Sequence, residues 1–254
     1  MSLLLYEKKG RIAYLTLNRP ESRNALSYAL MAEMERAWRD FRDDDEVWVA
    51  VITGTGAAFS AGLDLKERVA QGSFMTADEQ TKTIGMTPSA LGIWKPIIAA
   101  VNGYAYAAGF VLAMDCDLRV ASTEARFAIT EVQRGLPALG LDHLARYMTM
   151  PLALEMLLTG EPITAQRAYE IGFVNQVVAP DELLPAATAL AERIAQNAPL
   201  AVRTTKEALY HSQHPSAHEL RDARTIMMPA LSSEDTLEGM RSFLERRPPQ
   251  WKGK

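Results

Sequence analysis

Hydrophobic positions along the chain alternate between short β-type runs and segments with helical spacing. Two apolar runs at the start flank Lys8-Lys9-Gly10 and predict a β-hairpin. Apolar residues at helical spacing follow, with Ser27 placed to cap a helix. We predict strands at 3–6, 12–17, 47–54, 96–101, 117–121, 126–128 and 173–178. We predict helices at 27–45, 77–94, 139–148, 152–158, 165–171 and from 181 onward.

The order of these elements predicts an α/β core over residues 1–195 and a C-terminal helical region over residues 196–254. A helical appendage of this size can bury an apolar face only against another surface. We therefore expect the C-terminal region to make contacts between subunits. Its apolar spacing is carried by Leu237, Met240, Phe243 and Leu244, with Ser232 and Glu234 at the start of the helix.

The composition excludes several classes of protein. The 254 residues are 48% apolar and 23% charged, with a net charge of −4, so neither disorder nor a nucleic-acid-binding surface is indicated. Only four apolar residues in a row precede the first charges, too few for a signal sequence or a membrane span. A single cysteine, Cys116, fits a reducing compartment. We expect a cytoplasmic protein with no nucleic-acid or membrane partner.

Two glycine-rich corners each follow a buried strand. The first strand leads into GTGAAFSAGLDLKE, starting at Gly54, and the second leads into NGYAYAAGFVLAM, starting at Asn102. Glycine and alanine let a ligand approach the main chain, and a helix that starts there directs unpaired N–H groups at it. Two such corners can supply two N–H donors to one oxygen, which is the geometry that stabilises an oxyanion. The same pattern is also typical of tight turns that only allow close packing.

Other ligand sites receive little support. A dinucleotide-binding loop would need a third glycine where Phe59 stands. His211, His214 and His218 are separated by Pro215 and have no acidic residue at a suitable spacing, so we expect no metal. There is no G-x-S-x-G motif, and Cys116 has no obvious partner for nucleophilic catalysis.

Several segments together resemble the enoyl-CoA hydratase/isomerase family, also called the crotonase superfamily. The resemblance is carried in order by LTLNRPESRNALS, SAGLDLKE, AAVNGYAYAAGFVLAMDCDLRVAS, ARFAITEVQRGLP, the glycine-to-valine run at 160–178 and SFLERRPPQWKGK. It implies a crotonase-like (ClpP/crotonase) α/β spiral of ββα units with a C-terminal helical oligomerisation region. It also implies acyl-CoA thioester substrates, no cofactor beyond the substrate's own CoA, and a homotrimer or dimer of trimers.

The resemblance also implies roles for individual residues. The thioester oxygen would be held as an enolate by the backbone N–H groups of Leu63 and Ala108. Hydratases of the family carry two glutamates, and Glu131 matches the second. The first position is Val111, which cannot transfer a proton. The remaining substrate-binding candidates are Arg23, Ala25, Ala61, Gly62, Lys66, Tyr106, Gly109, Val111 and Lys252, of which Arg23, Lys66 and Lys252 would contact CoA phosphates.

One carboxylate can still move a proton, so the resemblance favours double-bond isomerisation through Glu131. Hydration or dehydration, decarboxylation and C–C hydrolysis remain alternatives, with Asp142 or His143 as a replacement polar group. A non-catalytic acyl-CoA binder is a further alternative. Considered without the resemblance, Glu131 is also compatible with a solvated acid or one paired with Arg126 or Arg134.

Overall fold

Two β-sheets divide the strands of the chain between them. The computed structural model describes residues 2–70, 87–134, 136, 138, 144–212, 233–235, 238, 242 and 245–254. The larger sheet has the order β1-β2-β3-β5-β7-β10, with β1 and β2 antiparallel and the other neighbours parallel. Its strands are β1 (Leu4–Lys9), β2 (Ile12–Leu17), β3 (Val49–Gly54), β5 (Ile97–Val101), β7 (Leu118–Ser122) and β10 (Gln176–Val178).

From β3 to β8, consecutive strands of the chain alternate between the larger and the smaller sheet. The order of the smaller sheet is β4-β6-β8-β9, with only the last pair antiparallel. Because β3, β5 and β7 lie in one sheet and β4, β6 and β8 in the other, the chain winds as a spiral of ββ units, the first two of which end in helices. The strands are β4 (Ala58–Ser60), β6 (Tyr104–Tyr106), β8 (Arg126–Ala128) and β9 (Ile163–Thr164).

Seven α-helices are described, and local sequence accounts for several of their ends. The Ser27 hydroxyl accepts a hydrogen bond from Leu30 N–H at the start of the first helix, and Thr164 caps the fifth through Arg167 N–H. The helices are α1 (Tyr28–Asp43), α2 (Leu65–Ala70), α3 (Ala108–Asp115), α4 (Met150–Thr159), α5 (Ala165–Glu170), α6 (Leu183–Ala195) and α7 (Pro199–Ser212).

Both faces of the larger sheet are covered. In β3, Ala50 and Ile52 point into a core that also contains the buried face of α1, whereas Val49 and Val51 point to α6. A strand buried on both faces reads as a continuous apolar run, which is why β3 and β5 lack alternation. Within the described residues, no helix is long and apolar enough to cross a membrane.

Three predicted helical segments are wrong where the structure describes them, and one of these is the end of the helix predicted from 181 onward, because residues 246–254 are not helical. From residue 87 to 94 the chain forms only the short 3₁₀ turn Ser89–Leu91, and Leu144–Arg146 is likewise a 3₁₀ turn. Gly92 ends the first turn in the left-handed region, so an α-helix does not continue there. Residues 77–86 and 139–143 of these predictions lie outside the described residues. So do Ser232 and the apolar positions of the predicted tail helix, Leu237, Met240, Phe243 and Leu244.

Candidate active site

The first glycine-rich corner is held by buried main-chain and side-chain hydrogen bonds. Asn24 is fully buried, and its Nδ2 donates to the carbonyls of Thr55 (2.9 Å) and Ala58 (2.7 Å). The Ser60 hydroxyl donates to Asn24 O and accepts from Gly62 N–H. These contacts fix the path of the chain on both sides of β4. They thereby fix the direction of Leu63 N–H, which follows Gly62.

The second corner is the turn from β6 into α3. Ala107 N–H donates to Ala128 O (2.9 Å), and Ala107 O accepts the first helical hydrogen bond from Val111 N–H. Ala107 has φ 51° and ψ −124°, a combination that L-residues rarely adopt. Such strain persists only where the surrounding contacts impose it, and it is concentrated at functional sites. Here it sets the position of Ala108 N–H at the start of the helix.

The two corners are in direct contact. A Cβ atom added at Gly62 would lie 2.9 Å from Ala107 Cβ and 3.2 Å from Ala108 N. A Cβ added at Gly109 would lie 2.8 Å from Ser60 Cβ. Only glycine allows this approach, and Gly62 also has φ +94°. Within the described part of the chain, neither Leu63 N–H nor Ala108 N–H donates a hydrogen bond, so both remain available to a ligand oxygen.

A cavity of about 510 Å³ lies over the two corners and also contains Glu131. Its size is within the range of small-molecule sites. Acidic and basic side chains are mixed around it, and Arg19 pairs with Asp64 at 3.0 Å. The lining consists of Arg19, Glu21, Ser22, Ala25, Ala61, Leu63, Asp64, Leu65, Lys66, Glu67, Ala107, Ala108, Thr130, Glu131, Arg134 and Leu136.

Glu131 begins a 3₁₀ turn, Glu131–Arg134, shortly after β8. The turn is tied to the end of α4, because Gln133 Nε2 donates to Thr159 O at 3.1 Å. Glu131 is partly buried, and its Oε2 has no hydrogen-bond partner among the described residues. Burial raises the pKa of the Glu131 carboxyl, while its own backbone N–H and the charge of Arg134 act in the opposite direction. A carboxylate in this environment is a suitable proton acceptor and donor.

The structure brings only part of the predicted site together in this cavity. Leu63, Ala108, Glu131, Ala25, Ala61 and Lys66 all line it. Gly62 and Gly109 lie behind the lining, where they allow the close contact of the two corners.

The other candidates lie elsewhere, so their roles remain predictions. Arg23 is exposed and does not line the cavity; Arg19, which pairs with Asp64, does. Tyr106 packs edge-on against Tyr104, with ring centroids 5.3 Å apart. Val111 is partly buried one turn into α3 and carries no titratable group. Lys252 Nζ pairs with Glu234 at 2.9 Å.

The sequence pattern does not predict that Arg19 and Arg134 line the cavity. Arg19 does stand in the quoted segment LTLNRPESRNALS, but nothing in its spacing separates it from Arg23. Arg23 adopts a left-handed conformation (φ 52°), which the chain pattern alone does not reveal. Asp142, His143, His214 and His218 lie outside the described residues.

Comparison with known proteins agrees with this geometry. Residues 7–254 match the sequence profile of the enoyl-CoA hydratase/isomerase family. The chain is 39% identical over 251 residues to (E)-benzylidenesuccinyl-CoA hydratase of Thauera aromatica, covering 97% of this chain and 98% of that protein. It is 38% identical to 2,3-dehydroadipyl-CoA hydratase of Escherichia coli, with full coverage of both chains. The crystal structure of an enoyl-CoA hydratase from Mycobacterium tuberculosis superposes with a TM-score of 0.91 at 37% identity, again over both full chains. The chain therefore has the crotonase fold and belongs to the enoyl-CoA hydratase/isomerase family, whose members process acyl-CoA thioesters.

Proposed function

We propose that this enzyme adds water to an enoyl-CoA thioester, or removes water from the corresponding 3-hydroxyacyl-CoA, with Glu131 as the acid–base residue. The observation that carries the proposal is the shared cavity. It contains a partly buried carboxylate and two backbone N–H groups, and among the described residues neither the Glu131 Oε2 atom nor the two N–H groups have a hydrogen-bond partner. The relatives named above are hydratases of CoA thioesters, which supports hydration over isomerisation.

In the hydration direction, the thioester oxygen binds to the N–H groups of Leu63 and Ala108. Glu131 takes a proton from water as the water oxygen bonds to carbon 3, and the electron pair of the double bond moves to the thioester as an enolate. Glu131 then returns the proton to carbon 2 and is restored to its ionised form. Because one carboxylate serves both steps, the hydrogen and the hydroxyl are added to the same face of the substrate.

The two amides carry the charge of the enolate. Removing one such donor in other enzymes costs about 3–4 kcal/mol of transition-state stabilisation. Ala108 also begins a helix of eight residues, so the positive end of the helix dipole faces the developing charge. No group beyond the substrate's own CoA is needed in this scheme. Lys66 lines the cavity and is exposed, which supports its proposed role of binding a CoA phosphate.

Val111 supports a second candidate function, the interconversion of 3-enoyl and 2-enoyl thioesters. This side chain occupies the place where hydratases of the family carry another glutamate, and it cannot transfer a proton. Isomerisation requires only that Glu131 move a proton from carbon 2 to carbon 4. The enolate would rest on the same two amides.

The two functions differ in the mass of the product. The enzyme would be incubated with 2-enoyl-, 3-enoyl- and 3-hydroxyacyl-CoA esters, because hydration adds one water and isomerisation leaves the mass unchanged. We expect hydration of at least one 2-enoyl ester. Glu131→Gln keeps the shape of the side chain but removes the base, so turnover should fall by about 10²–10⁴-fold. Glu124→Gln, an exposed residue on the same segment, is the matched control.

Turnover that is insensitive to Glu131→Gln would show that the chemistry lies on another residue. Mass-neutral products alone would favour isomerisation. CoA-ester binding without any turnover would identify a non-catalytic binder.

We also propose that the protein assembles as a homotrimer or a dimer of trimers through the region 196–254. The described parts of that region include exposed apolar area on α7, where the Leu209 side chain is 59% exposed. The apolar spacing in the rest of the tail, described above, supports the same assembly.

A further inference from the structure

Arg134 lies on the same 3₁₀ turn as Glu131 and also lines the cavity. In a 3₁₀ helix, side chains three residues apart are eclipsed, and the rise is about 2 Å per residue. Arg134 therefore projects on the same side as Glu131, about 6 Å further along the turn axis. The reacting carboxylate and a guanidinium are thus presented to one cavity by one short element.

The guanidinium is anchored but has no counter-ion among the residues that the structure describes. Its Nη1 donates to Thr130 O at 2.9 Å, and Thr130 is itself part of the cavity wall. Within the described residues, no carboxylate lies within ion-pair distance of Arg134, whereas Arg19, which also lines the cavity, is paired with Asp64. Arginine has five N–H donors, so most of those on Arg134 remain available.

The direction of the substrate in the cavity follows from the proposed function, on which this inference rests. The thioester oxygen lies at Leu63 and Ala108, and carbons 2 and 3 lie beside Glu131. Lys66 follows the first corner, on the side assigned to CoA. With carbons 2 and 3 beside Glu131, an acyl chain that extends along the turn reaches Arg134, which lines the same cavity.

We propose that Arg134 binds a carboxylate on the acyl group, so that the preferred substrates are CoA thioesters of short dicarboxylic acids. A guanidinium fork matches a carboxylate in a bidentate arrangement, and a charge-assisted hydrogen bond of this kind is stronger than one to a neutral group. Arg134 is exposed at the cavity, and an unsubstituted alkyl chain would offer its guanidinium no hydrogen-bond acceptor. Arg134 is then the specificity-determining residue of the site.

A binding experiment tests this without requiring turnover. Adipyl-CoA and hexanoyl-CoA have acyl chains of equal length and differ in the terminal carboxylate. By calorimetry, we expect the wild-type protein to bind adipyl-CoA about 10- to 100-fold more tightly. Arg134→Met should reduce this ratio to about 1, and Arg134→Lys should leave an intermediate ratio, because lysine keeps the charge but loses the fork. Arg126→Met, outside the cavity, should leave the ratio unchanged.

Two binding results and one turnover result would overturn the inference. Equal affinity of the wild type for both thioesters would show that no group in the cavity recognises the carboxylate. Equal weakening of both ligands by Arg134→Met, with the ratio retained, would instead place Arg134 on the CoA moiety. Turnover of 2-hexenoyl-CoA and 2,3-dehydroadipyl-CoA distinguishes a failure of the role of Arg134 from a failure of the proposed function. Hydration of both without preference refutes only the role of Arg134, whereas adipyl-CoA binding with no hydration of either refutes the proposed reaction.

Discussion

Replacing Gly109 with alanine tests whether the contact between the two corners is what aligns the two amides. Gly109 is the second residue of α3, directly after Ala108, and packs against Ser60 of β4. The added Cβ would overlap the Ser60 carbonyl oxygen and lie 2.8 Å from Ser60 Cβ. Ordinary van der Waals contact begins at 3.4 Å, so α3 must move away by more than about half an ångström.

This displacement acts directly on the proposed oxyanion site. Ala108 N–H moves with α3, while Leu63 N–H stays with the first corner, which Asn24 and Ser60 hold in place. A misplacement of about 1 Å can cost about 100-fold in rate. We expect Gly109→Ala to lower kcat/KM for hydration by about 10- to 100-fold and the free energy of unfolding by about 1–3 kcal/mol.

The assay is the loss of the enoyl-thioester absorbance, measured beside a urea unfolding curve. Gly103→Ala is a matched control, because its added Cβ would overlap the Ala57 carbonyl oxygen outside the cavity. The control should lose comparable stability but keep most of its activity in the folded state. A Gly109→Ala enzyme that folds cooperatively with wild-type kcat/KM would show that the two amides do not bind the reacting oxygen.

Three further predictions follow from the site and from the tail. Ala107→Gly should raise the free energy of unfolding, measured by urea titration, by about 1 kcal/mol. Glycine relieves the strain at φ 51° but loses more chain entropy on folding, so the net gain is small. A loss of stability would contradict this prediction. Burial raises the pKa of Glu131, and the carboxylate form starts the proposed reaction. The value of kcat should therefore fall as pH is lowered, and the pH at which it is halved should lie above the usual pKa of glutamate. A half-maximal kcat at or below that pKa would argue against Glu131 as the base. Light scattering at micromolar concentration should show a trimer or hexamer, and a clean monomer would refute the proposed assembly.

Most of the fold follows from hydrophobic spacing, because the strands of the spiral are buried and nearly continuous. The hairpin of β1 and β2 and the capped helix α1 are confirmed. The same signal fails at 87–94 and at Leu144–Arg146. There, apolar residues at helical spacing form only single 3₁₀ turns, and tertiary contacts override local propensity.

The site was less predictable than the fold, because side-chain direction depends on backbone angles that the sequence does not display. Arg23 and Arg19 are both arginines four residues apart in one turn, but only Arg19 lines the cavity. Arg23 follows the 3₁₀ turn Pro20–Ser22, and both Arg23 and Asn24 have left-handed backbone conformations. By contrast, the glycine-rich corners predict two backbone donors, and the family resemblance identifies them as Leu63 and Ala108. Such donors depend on the path of the chain and not on side-chain identity.

Several groups at this site have a strained backbone or lack a hydrogen-bond partner within the described residues. Ala107 has a strained backbone, Glu131 Oε2 is buried without a described partner, and the amides of Leu63 and Ala108 have no described acceptor. The rigid contacts around them make this arrangement possible. A thioester oxygen would satisfy both amides, and a proton or a water would satisfy the carboxylate. In the proposed reaction the reacting atoms supply these partners. The stabilisation would then be greatest when charge develops on the thioester oxygen, and substrate binding alone would capture only part of it.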